Sequence, residues 1–177
     1  GRQLATDLLA RGYRVVIGDL DQAATDATAA ELGAGASAVR LDVTDRKNLA
    51  AVVAHVEATV GPIALWINNA GIMPTGPFRD QKMAVARAII DINYAGVVEG
   101  TAAVLPGMLE RHAGTVVNLA SATGIKPLAG VAVYSGTKAA VIEKMAAELY
   151  GNQAEPFGLP MKASQTLAEP TVRTTAM

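Results

Sequence analysis

Residues 14–43 read RVVIGDLDQAATDATAAELGAGASAVRLDV. The β-branched run at 14–18 suits a short buried strand ending at Asp19, 22–32 reads as a helix, and 36–41 as a second strand. The same rhythm extends in both directions. Upstream, Leu4, Leu8 and Leu9 recur at helical spacing over 1–10, and Gly12 stops that helix. Downstream, a helix at 49–60 follows an Asp45 cap, and a strand at 63–67 closes on Asn68-Asn69-Ala70-Gly71. A largely helical stretch at 84–110 is interrupted near Asn93, then come a strand at 115–119 and a helix at 135–150. Short apolar strands alternating with helices of ten or more residues specify an α/β protein, a parallel sheet with helices on both faces. Ligands of such sheets bind beyond the carboxyl ends of the strands. That rule selects Asp19, Asp42 with Val43, Asn69 to Gly71, and Ser121. The reading expects one domain over 1–177, with 151–177 divergent or incomplete because Gly151, Pro156, Gly158 and Pro160 break any continuous element.

Composition narrows the chemistry. The 177 residues include no cysteine, which excludes a disulfide scaffold, a thiolate nucleophile and a Cys-ligated zinc site. Fifteen basic against sixteen acidic side chains leave a formal charge of −1, so nothing marks the chain for nucleic acid or an anionic membrane. No uninterrupted apolar run approaches the roughly 18 residues of a membrane span, and no leader pattern opens the chain. A cytoplasmic location is the expectation.

The strongest local signal is Tyr134-Ser135-Gly136-Thr137-Lys138 opening a helix. A tyrosine and a lysine four apart share one helix face, so the ammonium can act on the phenol or on a ligand lying across both. A free phenol titrates near about 10, so proton exchange at neutral pH calls for a partly desolvated cation beside it. On this reading Tyr134 is the general acid and base and Lys138 its tuner. Taken alone, such a pair more often marks an amphipathic helix with a solvated lysine. Ser121, ending TVVNLAS, could hydrogen-bond a substrate oxygen or simply cap a turn. Asn93 could hold a water or a backbone carbonyl, or mark a helix kink.

In this order and at these intervals, Asn68-Asn69-Ala70-Gly71, Asn93 with Gly96, Ser121, Tyr134 and Lys138 resemble the short-chain dehydrogenase/reductase family. The resemblance covers Gly1 to about Tyr150. It implies a Rossmann-like doubly wound parallel sheet on which a secondary alcohol and a ketone are interconverted by hydride transfer. Tyr134 would exchange the proton, and Ser121 would position and polarise the carbonyl. Lys138 would lower the tyrosine pKa and bond the nicotinamide ribose, and Asn93 would hold a water linking Lys138 to solvent. Asp42 and Val43 would take the adenine, Asn69, Ala70 and Gly71 would line the cofactor, and Gly1 would be the last glycine of the phosphate-binding turn. The family also implies a homodimer or homotetramer through helices around 95–109 and 139–149.

Cofactor choice follows from Asp19. An acid at the end of the second strand of a dinucleotide fold accepts from the adenosine ribose and repels a 2′-phosphate. The following Leu20 and Asp21 offer no arginine, so NAD is favoured, with NADP the alternative. Asp19 could otherwise cap the helix starting near Asp21. His55 and His112 have no partner at ligand spacing, so no metal site is read. Trp66 is expected in the core. Met73, Pro74, Ile125, Leu128 and Val131 suggest an apolar substrate pocket.

Two departures from the family pattern bear on function. Only Gly1 represents the glycine-rich turn, so the first strand is expected to be missing. Met161 to Leu167 could be a strand and Pro170-Thr171-Val172-Arg173-Thr174 the turn that follows it, with the lid and last strand lacking. These gaps support a competing reading, a catalytically incompetent dinucleotide-binding or oligomerisation module. A Rossmann-type methyltransferase would leave the Ser, Tyr and Lys spacing unexplained.

Overall fold

Parallel strands joined by helices make up both parts of the chain in the computed structural model, which describes residues 1–142 and 171–175. The two parts, Gly1–Pro62 and Ile63–Met177, are each compact.

In the first, α1 (Arg2–Ala10) leads to β1 (Val15–Asp19), and α2 (Gln22–Leu32) crosses to β2 (Ala36–Arg40). The strands pair in parallel from Val15 opposite Ala36 to Asp19 opposite Arg40. Asp21 caps α2, accepting from the Ala24 N–H at 2.9 Å. Helix α3 (Arg46–Thr59) starts earlier than its first apolar residue suggests, because Asp45 accepts from the N–H groups of Lys47 and Asn48 and so organises a polar first turn. Leu49, Val52, Val53 and Val56 recur on one helical face and are all buried, each contributing roughly 1.5–3 kcal/mol.

In the second part, β3 (Leu65–Asn68), β4 (Thr115–Leu119) and β5 (Thr171–Thr175) form a parallel sheet in the order β3-β4-β5. Leu65 pairs with Thr115, and Thr115 with Thr171. Residues 171–174, expected as a turn, are therefore strand, as their Thr- and Val-rich composition favours. The strand expected at 161–167, the distal half of the helix expected at 135–150, and the segment before Pro170 lie outside the described residues.

Between β3 and β4 run α4 (Met83–Ile90), a π-helical turn (Asp91–Ala95) and α5 (Gly96–Glu110). Together, as Met83–Glu110, they are long and apolar enough to cross a membrane, which counting uninterrupted apolar runs did not anticipate. Ala86, Ile89, Val97, Val104 and Met108 along this stretch are buried within the protein, as are the polar Asn93 and Thr101, while Met83, Ile90 and Val98 are exposed. After β4 a short 3-10 turn (Ala122–Gly124) precedes α6 (Ala132–Ala140), which begins three residues before the expected start.

A buried amide network joins this sheet to α5. Asn68 accepts from the Trp66 indole N–H at 2.7 Å and donates to Thr101 Oγ1 at 3.1 Å and Asn118 Oδ1 at 2.7 Å. Trp66 is thus a half-buried structural donor.

Candidate active site

Lys138 lies in the last turn of α6, only 5% exposed. Its ammonium donates to the Leu119 carbonyl at the end of β4 at 2.6 Å and stands 5.7 Å from the centre of the Tyr134 ring. Burial pushes the Lys138 ammonium below the usual lysine range. One of its three N–H donors is held by Leu119, and no other hydrogen bond is formed by it among the described residues. Tyr134 sits in the first turn of the same helix and is half-buried.

Ser121 is buried two residues past the end of β4, separated from it by Ala120. It caps the 3-10 turn, and Oγ lies 3.2 Å from the Thr123 N–H and 3.0 Å from the Thr123 hydroxyl. The reading as a turn cap is realised, yet it does not exhaust the group. With both contacts donating to Oγ, the serine hydrogen is left to donate outward.

Asn93 is fully buried in the π-helical turn. Its amide accepts from the Ile72 N–H and donates to the Ile72 carbonyl, both at 2.8 Å. Of the roles open from sequence, the structure shows the backbone carbonyl held. The π-helical turn is the interruption expected near Asn93, and such bulges recur at functional sites. The reciprocal pair fixes the loop after β3, where Asn69, Ala70 and Gly71 are exposed. A β-carbon at Gly71 would lie 3.4 Å from Asn93 Oδ1 and 3.9 Å from Lys138 Nζ, so the loop presents bare backbone beside the lysine. Gly71, Asn93 and Lys138 are therefore brought together.

The remaining candidates belong to the first part of the chain. Gly1 is the N-terminal flank of α1, its carbonyl accepting from Ala5 at 3.0 Å. Asp19 and Leu20 are exposed at the end of β1. Asp19 does not cap α2, since Asp21 does so itself; its carboxylate accepts from the Asp21 N–H at 3.2 Å. Arg40, in register opposite Asp19, is a cation that inspection of residues 20 and 21 could not find. Asp42 accepts from the Thr44 hydroxyl at 2.7 Å and its N–H at 2.9 Å, and these bonds hold its carboxyl below the usual carboxylate range. Both bonds fall on Oδ1. Val43 beside it is half-buried.

Of the apolar residues suggested for a pocket, Met73, Ile125 and Leu128 are exposed, whereas Val131 is buried and belongs to the core. A backbone hydrogen bond of 2.9 Å from Gly76 to Gly130 ties the loop after β3 to the loop before α6. His55 and His112 are both exposed.

The family model described as short chain dehydrogenase matches residues 1–153. An "Inactive 2-(S)-hydroxypropyl-CoM dehydrogenase 2" of Xanthobacter autotrophicus is 37% identical over 79% of the chain. The 2-(S)-hydroxypropyl-CoM dehydrogenase 3 of the same organism is 34% identical over 85%. The chain spans 62% of the length of each of these relatives. A serine dehydrogenase solved in a closed form complexed with NADP+ superimposes with a TM-score of 0.77 at 31% identity, over 84% of this chain and 61% of that one.

Proposed function

The chain belongs to the short-chain dehydrogenase family, and from that premise we propose that it is an oxidoreductase interconverting a secondary alcohol and a ketone, with Tyr134 as general acid and base. The observation that carries the reading is the buried Lys138 ammonium, anchored to Leu119 and lying beside the Tyr134 ring and the bare Gly71 backbone. A buried cation with a perturbed proton affinity is expensive to maintain for packing alone and is characteristic of reactive sites.

Each part of the chain carries groups that suit a portion of a nicotinamide dinucleotide. The two remaining N–H groups of Lys138 suit ribose hydroxyls, and Gly71 leaves room beside them. Asp19 keeps a carboxylate oxygen for the adenosine ribose, and Asp42 keeps Oδ2 for an exocyclic amine. The bound dinucleotide would supply or accept the hydride. In ketone reduction, the Ser121 hydrogen bonds the carbonyl oxygen and Tyr134 gives that oxygen its proton. Lys138 stabilises the phenolate left behind, and alcohol oxidation reverses these transfers.

The Asp19 carboxylate favours NAD. Arg40 opposite it, together with the NADP+ held by the serine dehydrogenase, supports NADP as the second reading. The relative named inactive supports a non-catalytic dinucleotide-binding module as the competing class, and Ser121, Tyr134 and Lys138 together weigh against it. A homodimer or homotetramer is part of the same proposal, with exposed Ile90 and Val98 flanking the π-helical turn as apolar contact points.

The test is a hydride-transfer screen against aliphatic, cyclic and aryl ketones with NADH and NADPH. Turnover is expected to fall about 10²- to 10⁴-fold in Tyr134→Phe. Unchanged turnover in that variant would remove the proton-transfer role.

A further inference from the structure

The turn after β4 approaches α6 more closely than any side chain would permit. A β-carbon at Gly124 would lie 2.7 Å from the Lys138 carbonyl carbon, 2.8 Å from the Ala139 nitrogen and 2.9 Å from the Lys138 oxygen. All three are backbone atoms of the helix that carries Tyr134 and Lys138, so no rotamer change relieves the clash. Gly124 is not among the glycines with positive φ, so proximity rather than backbone conformation demands it. One residue earlier, Thr123 directs both its N–H and its hydroxyl at Ser121 Oγ. The N–H can only donate. If the hydroxyl also donates, both Ser121 lone pairs are filled and its hydrogen points away from the turn. A chain from Thr123 to Ser121 to a substrate oxygen also polarises each successive bond.

We propose that the turn Ala122–Gly124 positions Ser121 for catalysis, with Thr123 aiming its hydroxyl and Gly124 setting its distance from α6. This rests on the reading that Ser121 meets the substrate oxygen. Neither Thr123 nor Gly124 touches substrate; both act through Ser121. Ordinary contact begins at 3.4 Å, so a methyl at Gly124 forces the turn and helix apart by about 0.7 Å from the present 2.7 Å. A displacement of about 1 Å can cost roughly 10²-fold in rate, so Gly124→Ala should slow turnover about 10- to 100-fold.

The experiment measures kcat, KM for ketone and KM for cofactor with whichever panel ketone is turned over fastest, alongside thermal unfolding. Ser121→Ala is the reference and should slow kcat about 100-fold or more. Thr123→Val should lower kcat about five- to twentyfold, leave the cofactor KM unchanged, and be rescued to within about threefold by Thr123→Ser. Adding Ser121→Ala to Gly124→Ala or to Thr123→Val should cost far less than Ser121→Ala alone, because the serine is already misplaced. If Ser121→Ala leaves kcat intact, the reading of Ser121 fails and the proposal with it. If Ser121→Ala is damaging while Thr123→Val stays within twofold of the parent and the losses multiply independently, Ser121 keeps its role and the positioning turn is refuted. Should Gly124→Ala not fold, the Thr123 variants decide alone.

Discussion

Replacing Gly100 with alanine tests whether the amide network beneath α5 is rigid. In an unobstructed helix this change gains about 0.5–1 kcal/mol, because glycine loses more backbone freedom on folding. At Gly100 the new methyl runs into Asn68 Oδ1 and approaches the Trp66 indole nitrogen at 3.1 Å. Asn68 cannot swing aside freely, since it accepts from Trp66 and donates to Thr101 and Asn118. Breaking one buried bond costs about 1–3 kcal/mol, and overpacking a further 1–3 kcal/mol or so. After subtracting the helix gain, a net loss of about 3 kcal/mol is expected. For a chain of this size that lowers Tm by roughly 6–12 °C. Urea unfolding with unchanged m and a lowered midpoint is the assay. Gly136→Ala is the stability control, because a β-carbon there meets nothing within 4 Å, and it should gain about 0.5–1 kcal/mol. If Gly100→Ala matched that control, the network would be too plastic to fix the spacing of α5 and the sheet.

Three further outcomes follow from the site and its supports. Lys138→Met should lower kcat about 10²-fold or more without lowering stability in proportion, since it removes a buried charge as well as one hydrogen bond. With the folded lysine titrating below its unfolded value, the unfolded chain binds more protons between those two values. The parent protein therefore gains stability as pH rises through that window towards 10.5, and the urea midpoint of Lys138→Met should lack this rise; parallel curves would contradict it. Asp19→Ser should move the NADPH to NADH preference upward by about 10- to 100-fold in kcat/KM, and Arg40→Ala should move it downward, as removal of single charges of opposite sign would. Asp45→Ala, which strips the cap from α3, should cost about 1 kcal/mol in chemical unfolding and leave kcat unchanged.

Local features of the sequence predicted what depends on local structure. The stripe of Leu49, Val52, Val53 and Val56 and the Asp45 cap were legible because helix periodicity and capping act within a few residues. The start of α3 was misplaced because its first turn is polar and shows no apolar period. Tyr134 and Lys138 were legible together because four residues bring them onto one face, and the serine and asparagine through family spacing. What was not legible depends on pairing across the chain. Asn68 meets Asn118 fifty positions away, and Arg40 falls opposite Asp19 through strand register. Gly124 is needed because of the backbone at Lys138 and Ala139, and nothing in its own neighbourhood reveals that. Residues 171–174 resemble a family turn pattern yet form a strand, because threonine and valine prefer extended backbone.

The inner bonds of the site also limit what it can recognise. Asn93 gives its amide to both backbone groups of Ile72, which makes it a support for the loop carrying Gly71. A water linking Lys138 to solvent would have to share that amide with Ile72 or be held by other atoms. Ser121, with Thr123 donating to it, offers a donor, and Lys138, anchored on Leu119, offers two more. The surface left to a ligand therefore presents donors that call for oxygen acceptors, as a carbonyl and vicinal hydroxyls provide. On the proposed reading Tyr134 is the side chain that both gives and takes the proton during turnover, with Lys138 tied to the Leu119 carbonyl and Ser121 held by Thr123. On that reading the other three are fixed through inward bonds and proton exchange falls to the phenol, so substitution of Tyr134 should be the most damaging single change at the site.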